Sequence, residues 1–326
     1  MSSVDTAILQ ITQSIERLLP WWGVSDKADI QLLSISENAV FLIQSSNLGR
    51  PFVVRVHRSG YNCEAEIRSE LAWIHALRKE TLIRIVAPIP GQDGAVLGRL
   101  STGNWAVAFE FVKGRAPSPQ DETQKFFEEL GAMTAQLHQH AREWQQPSGF
   151  TRKRWDIQNS LGRNGIWGDW RAAPGLDRDG VAFLEPVVDS VIRRLTKYGF
   201  GPDRFGLVHG DLKMANVIIT DDGLYLLDFD DCGMSWFLCD YGCAMTDFET
   251  GSKIDSLTQA WILGYRSESD LSQEDEEVLP TFALLRRLIT MAWAGSHGQS
   301  PVAINEYGAS YTAQTVAMAE LYIPGT

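Results

Sequence analysis

The chain has 326 residues, 44% of them hydrophobic with 11 Trp and 14 Phe among them, so a sizeable core can form in one two-part unit or in two domains. A formal net charge of −12 and a pI near 5.0 leave no basic field to collect phosphates, which argues against a nucleic-acid partner. Four cysteines make no disulfide framework, the start MSSVDTAILQ has neither a basic region nor an apolar core, and no apolar run reaches membrane-spanning length; reduced thiols, a cytoplasmic location and no membrane are expected.

Ile8, Ile11, Ile15 and Leu18 recur at helical spacing and predict an opening helix over Thr6–Leu19, ended by Pro20 and Trp21-Trp22-Gly23. Ile30–Ile35, Val40–Gln44 and Phe52–His57 read as an antiparallel meander, with Ser36-Glu37-Asn38 and Asn47–Arg50 as turns. In the third strand, Phe52, Val54 and Val56 face one way, and Val53, Arg55 and His57 the other. A helix over Tyr61–Lys79 follows. Its apolar stripe (Cys63, Ile67, Ile74, Leu77) includes Glu70, a charge that is costly there without a partner. Arg55 is the natural partner, with Glu66 the fallback if the register shifts by a turn.

Strands are predicted at Ala95–Leu97 and Trp105–Val112, with a boundary near Lys113, where Gly114, Pro117 and Pro119 follow. Gln120–Trp144 is a long helical pattern; His138 and His140 are two apart, point to different faces and read as structural. Residues Pro147–Gly180, with Trp155, Trp167 and Trp170, form the least regular stretch and are the candidate for selecting a substrate. Val181–Tyr198 is helical, and Gly199–Asp203 breaks it.

The next stretch, FGLVHGDLKMANVIITDDGLYLLDFDD over Phe205–Asp231, is the most informative. Asp211 is followed five positions later by Asn216. Val217–Ile219 and Leu224–Leu227 flank Asp221-Asp222-Gly223, a hairpin signal, and Asp228, Asp230 and Asp231 follow. Carboxylates and an amide on either side of a hairpin make an oxygen-rich site suited to Mg²⁺. Asp240 lies in FLCDYG, and helices are expected over Ile254–Tyr265, Glu274–Ala294 and Ala303–Ile323.

HGDLKMAN followed by LDFDD resembles the catalytic segment of the kinase-like phosphotransferases: aminoglycoside and choline kinases, homoserine kinase type II and the bacterial stress-response Ser/Thr kinase. The resemblance implies an α+β, protein-kinase-like two-lobed fold, with an antiparallel-sheet N-lobe over residues 1–112 and a mainly helical C-lobe over 113–326. It implies transfer of the γ-phosphoryl of ATP to a hydroxyl. Asp211 would orient and deprotonate the acceptor, Lys213 would touch the transferred group, and Asn216 and Asp228, with Asp230, would bind Mg²⁺. Arg55 stands where the family has a phosphate-holding lysine, and Glu70 would orient it. Asn38 lies in the tip over the nucleotide, which here has no glycine. Backbone groups of Glu110, Phe111 and Val112 would face the adenine. His209 and Asp240 would be structural, the latter bracing the catalytic loop. The acceptor expected is a small molecule; a protein Ser/Thr acceptor, which Lys213 favours, and a nucleotide-binding pseudokinase are the other readings.

Overall fold

A computed structural model describes residues 3–24, 27–35, 38–46, 49–298 and 300–322. The expected turn residues Ser36, Glu37 and Asn47 lie outside the described residues, as does Gln299 in the expected linker. The chain divides into two compact units. The first comprises residues 1–115, 147–151 and 220–227, the second residues 116–146, 152–219 and 228–326.

The first unit opens with α1 (Ser3–Leu18), continued by a 3₁₀ turn over Leu19–Trp22. Gly23, at φ 78°, ends that turn. The sheet follows: β1 (Asp29–Ile35), β2 (Ala39–Gln44) and β3 (Phe52–Val56), then α2 (Glu64–Glu80), β4 (Pro88–Ile89), β5 (Gly98–Arg99) and β6 (Trp105–Glu110). Its strand order is β1-β2-β3-β6-β4, with β5 also on β6, and these pairings are antiparallel. The expected strand at Ala95–Leu97 is instead irregular, with a bend at Val96, and pairing begins at Gly98. The apolar residues of β2 and β3 follow the strand period, so Phe41, Ile43, Phe52, Val54 and Val56 bury together against Ile15, Leu19 and Trp22. From β3, Arg55 reaches Glu70 of α2. Helix α2 begins later than the apolar stripe suggested, because Cys63 and Glu66 form a capping box there.

The second unit is mostly helical: α3 (Gln124–Glu143), β7 (Lys153–Arg154), α4 (Ile157–Leu161), α5 (Arg178–Tyr198), β8 (Phe205–Val208) and β9 (Val217–Thr220). The chain then passes to the first unit for β10 (Gly223–Leu226). Gly223 adopts φ 115°, a conformation open to few other residues, and Thr220 Oγ1 donates to its carbonyl at 2.8 Å. Then come β11 (Gly233–Trp236), α6 (Cys239–Ala244), α7 (Ile254–Glu268), α8 (Gln273–Ser296), α9 (Pro301–Asn305) and α10 (Ala309–Tyr322). β11 runs antiparallel to β8 and parallel to β7. α3 and α7 cross closely because Gly131 and Gly264 meet backbone of the opposite helix: a Cβ on Gly264 would lie 1.8 Å from the Glu128 carbonyl oxygen. The last expected helix, Ala303–Ile323, is two helices instead. At Gly308 an added Cβ would sit 2.7 Å from the Ile304 carbonyl, and the chain turns there.

Candidate active site

The site is built on the loop between β8 and β9. Gly210 has φ 82°, and a Cβ there would come within 2.5 Å of the Asp231 carbonyl, so only glycine lets the loop close on the segment after β10. The loop is braced from below. Asp240 accepts the backbone N–H groups of His209 at 3.0 Å and Gly210 at 2.8 Å. His138 reaches the same carboxylate from α3 at 3.1 Å, and its Nδ1 lies 3.0 Å from the Tyr265 hydroxyl. Burial lowers the His138 pKa although Asp240 pulls it upward, so the ring is neutral: Nε2–H donates to Asp240, and Nδ1 accepts from Tyr265. His209 is fully buried, with its ring 4.5 Å from that of Phe229.

Three side chains converge on the Asp211 carboxylate. Lys213 Nζ lies 3.1 Å from Oδ2, Asn216 Nδ2 donates to Oδ2 at 2.7 Å, and Arg286 donates to Oδ1 at 2.5 Å. Burial pushes the Asp211 pKa up, but the Lys213 and Arg286 cations outweigh it and hold the group below the usual carboxylate range. Asp211 in turn raises the Lys213 pKa, so that amine stays charged. The structure therefore brings together Asp211, Lys213 and Asn216. It adds Arg286, which the sequence reading missed. The signal was present: LLRRLIT puts two arginines inside an apolar helical run, where each needs a partner.

Asn216 spends its Nδ2 on Asp211, both on the carboxylate and on the backbone carbonyl at 2.9 Å. Its amide oxygen is thus the atom left for a hard cation. Asp228 is exposed and sits at φ 56°, a conformation that few non-glycine residues adopt; it opens the 3₁₀ turn Phe229–Asp231. An amide oxygen and an exposed carboxylate are the donor types that Mg²⁺ takes. Asp230, unlike Asp228, is buried at 4% exposure, and its backbone carbonyl accepts from Arg152, whose Nε donates to the Cys232 carbonyl at 2.6 Å. Arg152, another residue the sequence reading missed, thereby ties down this turn.

In the first unit, Arg55 and Glu70 form an ion pair at 2.6 Å with side chains 7% and 0% exposed, so Glu66 is not the partner. The Arg55 guanidinium also stands over the Phe109 ring at 5.1 Å. Glu66 instead accepts the Cys63 backbone N–H at 2.8 Å. Asn38 is buried and its Oδ1 accepts the Arg58 N–H at 3.1 Å. Glu110 ends β6. Its N–H donates to the Ala87 carbonyl at 2.9 Å, and its carboxylate accepts from Ala87 N at 2.8 Å and Arg78 at 3.3 Å. Phe111 is exposed and Val112 partly exposed beyond the strand end.

Within the second unit an open pocket touches Gly210 and Arg286, the neighbours of Asp211. Its walls include Trp155, Trp167, Phe282 and Ile289. The two indoles stack at 5.9 Å and 18°. Two of the tryptophans in the irregular stretch thus line a pocket next to the β8–β9 loop, while Trp170 is core.

Residues 29–271 match the model of the phosphotransferase enzyme family. A microcompartment-associated aminopropanol kinase is similar in structure, with 36% sequence identity and a TM-score of 0.86, over 98% of this chain and 97% of that one. Amicoumacin kinase of Bacillus subtilis (strain 168) is 21% identical over 277 residues, which is 81% of this chain and 79% of that protein. An amicoumacin kinase solved with AMP-PNP, Ca²⁺ and Ami has a TM-score of 0.75 and 20% identity, over 90% of this chain and 89% of that one. The protein-kinase-like α+β fold expected from HGDLKMAN and LDFDD is the fold these relatives share. With the family match extending over most of its length, the chain belongs to the phosphotransferase enzyme family and is an ATP-dependent kinase that phosphorylates a hydroxyl of a small molecule.

Proposed function

We propose that this kinase transfers the γ-phosphoryl of Mg·ATP to the hydroxyl of a small amino alcohol, with Asp211 receiving the acceptor. The observation that carries this reading is the convergence of Lys213, Asn216 and Arg286 on one carboxylate. A carboxylate gripped on both oxygens cannot turn away from an incoming hydroxyl, and phosphoryl transfer depends on positioning and charge neutralisation more than on covalent help. The resemblance to an aminopropanol kinase along nearly the whole chain supports an amino alcohol as acceptor. So do the stacked indoles of the pocket, since a small ammonium group is attracted to an indole face.

Asn216, through its amide oxygen, and Asp228, through its carboxylate, would hold Mg²⁺, which neutralises the phosphates when bound. Asp230 contributes its carboxylate from a buried position. The first unit supplies the nucleotide contacts. Arg55, kept in place by Glu70, holds phosphate oxygens. Asn38 shapes the tip between β1 and β2, and the backbone of Glu110 and Val112 meets the adenine.

The acceptor O–H donates to Asp211. As the acceptor oxygen bonds to the γ-phosphorus, the bond from that phosphorus to the β–γ bridging oxygen breaks, the proton passes to Asp211 and ADP leaves. Because its pKa is depressed, Asp211 orients the hydroxyl and takes the proton late, which suits a loose transition state. Lys213, 3.1 Å from Asp211, neutralises charge on the group in transit.

The test is product formation from Mg·ATP and a panel of amino alcohols, including 1-amino-2-propanol and ethanolamine. Asp211→Ala is expected to lower kcat by about 10²–10⁴-fold while ATP affinity changes little. Full turnover by that variant would sink the assignment.

A further inference from the structure

Arg286 and Arg287 are adjacent in α8, so they leave the helix about 100° apart and meet different surroundings. Arg287 is saturated. It pairs with Glu249 at 3.1 Å, bonds the Thr315 hydroxyl at 2.9 Å and the Tyr311 carbonyl at 3.0 Å, and lies over the Tyr311 ring at 3.9 Å. Arg286 is not. One terminal nitrogen donates to Asp211 Oδ1 and the other makes a long contact of 3.5 Å to the Gly210 carbonyl. Its Nε–H is buried and has no hydrogen-bond partner. Leaving such a donor unsatisfied is costly, so a buried orphan beside a reactive group calls for an explanation.

Two further observations point to a ligand. Arg286 lines the pocket that also touches Gly210, and it is the one charged side chain among the described lining residues; the others noted there are apolar or aromatic, or are Ser235 and the thiols Cys239 and Cys243. The same pocket carries the stacked indoles of Trp155 and Trp167, flat apolar faces against which a small molecule can lie. A hydroxyl both donates and accepts, whereas an ammonium only donates.

We propose that Arg286 is a positioning and specificity residue that reads the acceptor hydroxyl. It holds Asp211 through one terminal nitrogen and gives its Nε–H to the oxygen of the hydroxyl whose own proton points at Asp211. The hydroxyl is thereby recognised as donor and acceptor at once. An ammonium in the same place has no lone pair for Nε–H and faces a guanidinium. An amino alcohol therefore binds with its oxygen at Arg286 and its amine toward Trp155 and Trp167, and phosphorylation falls on oxygen. The inference rests on the reading that Asp211 receives the acceptor.

The experiment compares the wild type with Arg286→Lys, which keeps the charge opposite Asp211 but lacks Nε–H. The probes are 1-amino-2-propanol as acceptor and 1,2-diaminopropane as competitor. Arg286→Lys is expected to raise the acceptor KM about tenfold or more, with the ATP KM and the unfolding midpoint little changed. In the wild type, the diamine should inhibit at least about tenfold more weakly than the amino alcohol binds, and that gap should narrow in the variant. An unchanged acceptor KM, or a fall in kcat alone, overturns the proposal and leaves Arg286 as a brace for Asp211. If the variant does not fold, the wild-type competition decides, and equal potency of the diamine overturns it. A wild type that phosphorylates no alcohol at all removes the functional reading itself, a result distinct from any of these.

Discussion

At the scale of single residues, Asp211 is partly buried and His138 fully buried, and both are shifted in pKa, with different consequences. Asp211 stays ionised because two cations outweigh its burial. His138 stays neutral because burial outweighs its carboxylate partner. The sign for His138 follows from linkage. The unfolded chain binds a proton near pH 6.5 and the folded one only lower, so stability is intact above about pH 6.5 and falls below it by up to about 1.4 kcal/mol per pH unit. Urea unfolding of the wild type and His138→Gln between pH 7 and 5 should show the shallower slope in the variant. Identical slopes would mean that His138 titrates alike in the folded and unfolded chain. The sequence reading of His138 as structural rested only on its spacing from His140. Its partners, Asp240 and Tyr265, lie 102 and 127 positions away, and no local pattern reveals them. Lys213 shows the opposite case. Its place two residues after Asp211 was plain in the sequence, and it turned the acceptor question toward proteins; in the structure the same amine lies 3.1 Å from the Asp211 carboxylate.

At the scale of elements, the Arg55–Glu70 pair ties β3 to α2 and was legible in advance. An acidic residue on an apolar helical stripe needs a cation, and the inward face of the neighbouring strand offered one. Removing one partner of a buried pair leaves the other charge uncompensated. Glu70→Ala should cost about 3–5 kcal/mol in urea unfolding and raise the ATP KM, with the acceptor KM unaffected. A variant as stable as the wild type and unaltered in ATP KM would show that the pair neither braces the unit nor orients Arg55. Element boundaries were read less well, for local reasons. The capping box at Cys63 and Glu66 moved the start of α2, and the turn over Glu306–Gly308 divided the last helix. Both depend on backbone geometry that side-chain periodicity does not register.

At the scale of the molecule, the second unit depends on a buried centre that joins distant parts of the chain. Arg287 of α8 binds Glu249 in the loop after α6 and both Tyr311 and Thr315 of α10, so one guanidinium ties three segments together. Burial raises the Glu249 pKa even with Arg287 beside it, which marks how strongly that carboxylate depends on its partner. Arg287→Met should destabilise by about 3–5 kcal/mol, and adding Glu249→Leu should recover much of the loss, since a buried pair replaced by apolar groups is often neutral. Calorimetry that finds the double variant no better than the single one would assign the cost to the contacts with α10 instead.

The order of chemistry along the chain was set by the sequence alone. Asp211, Asn216 and Asp228 stand at spacings that a short loop and a hairpin impose, and local geometry of that kind survives in a string of residues. The acidic charge, the meander of strands and the charged residue on the stripe of α2 were readable for the same reason. What the tertiary structure decided was everything that depends on packing between remote segments: Arg286 arriving from α8 on the Asp211 carboxylate, the His138–Asp240 brace, and the two indoles lining a pocket next to the β8–β9 loop. Contacts across 75 or 102 residues arise from how buried helices fill a common core, and the periodicity of one helix does not encode which residue of another it will meet.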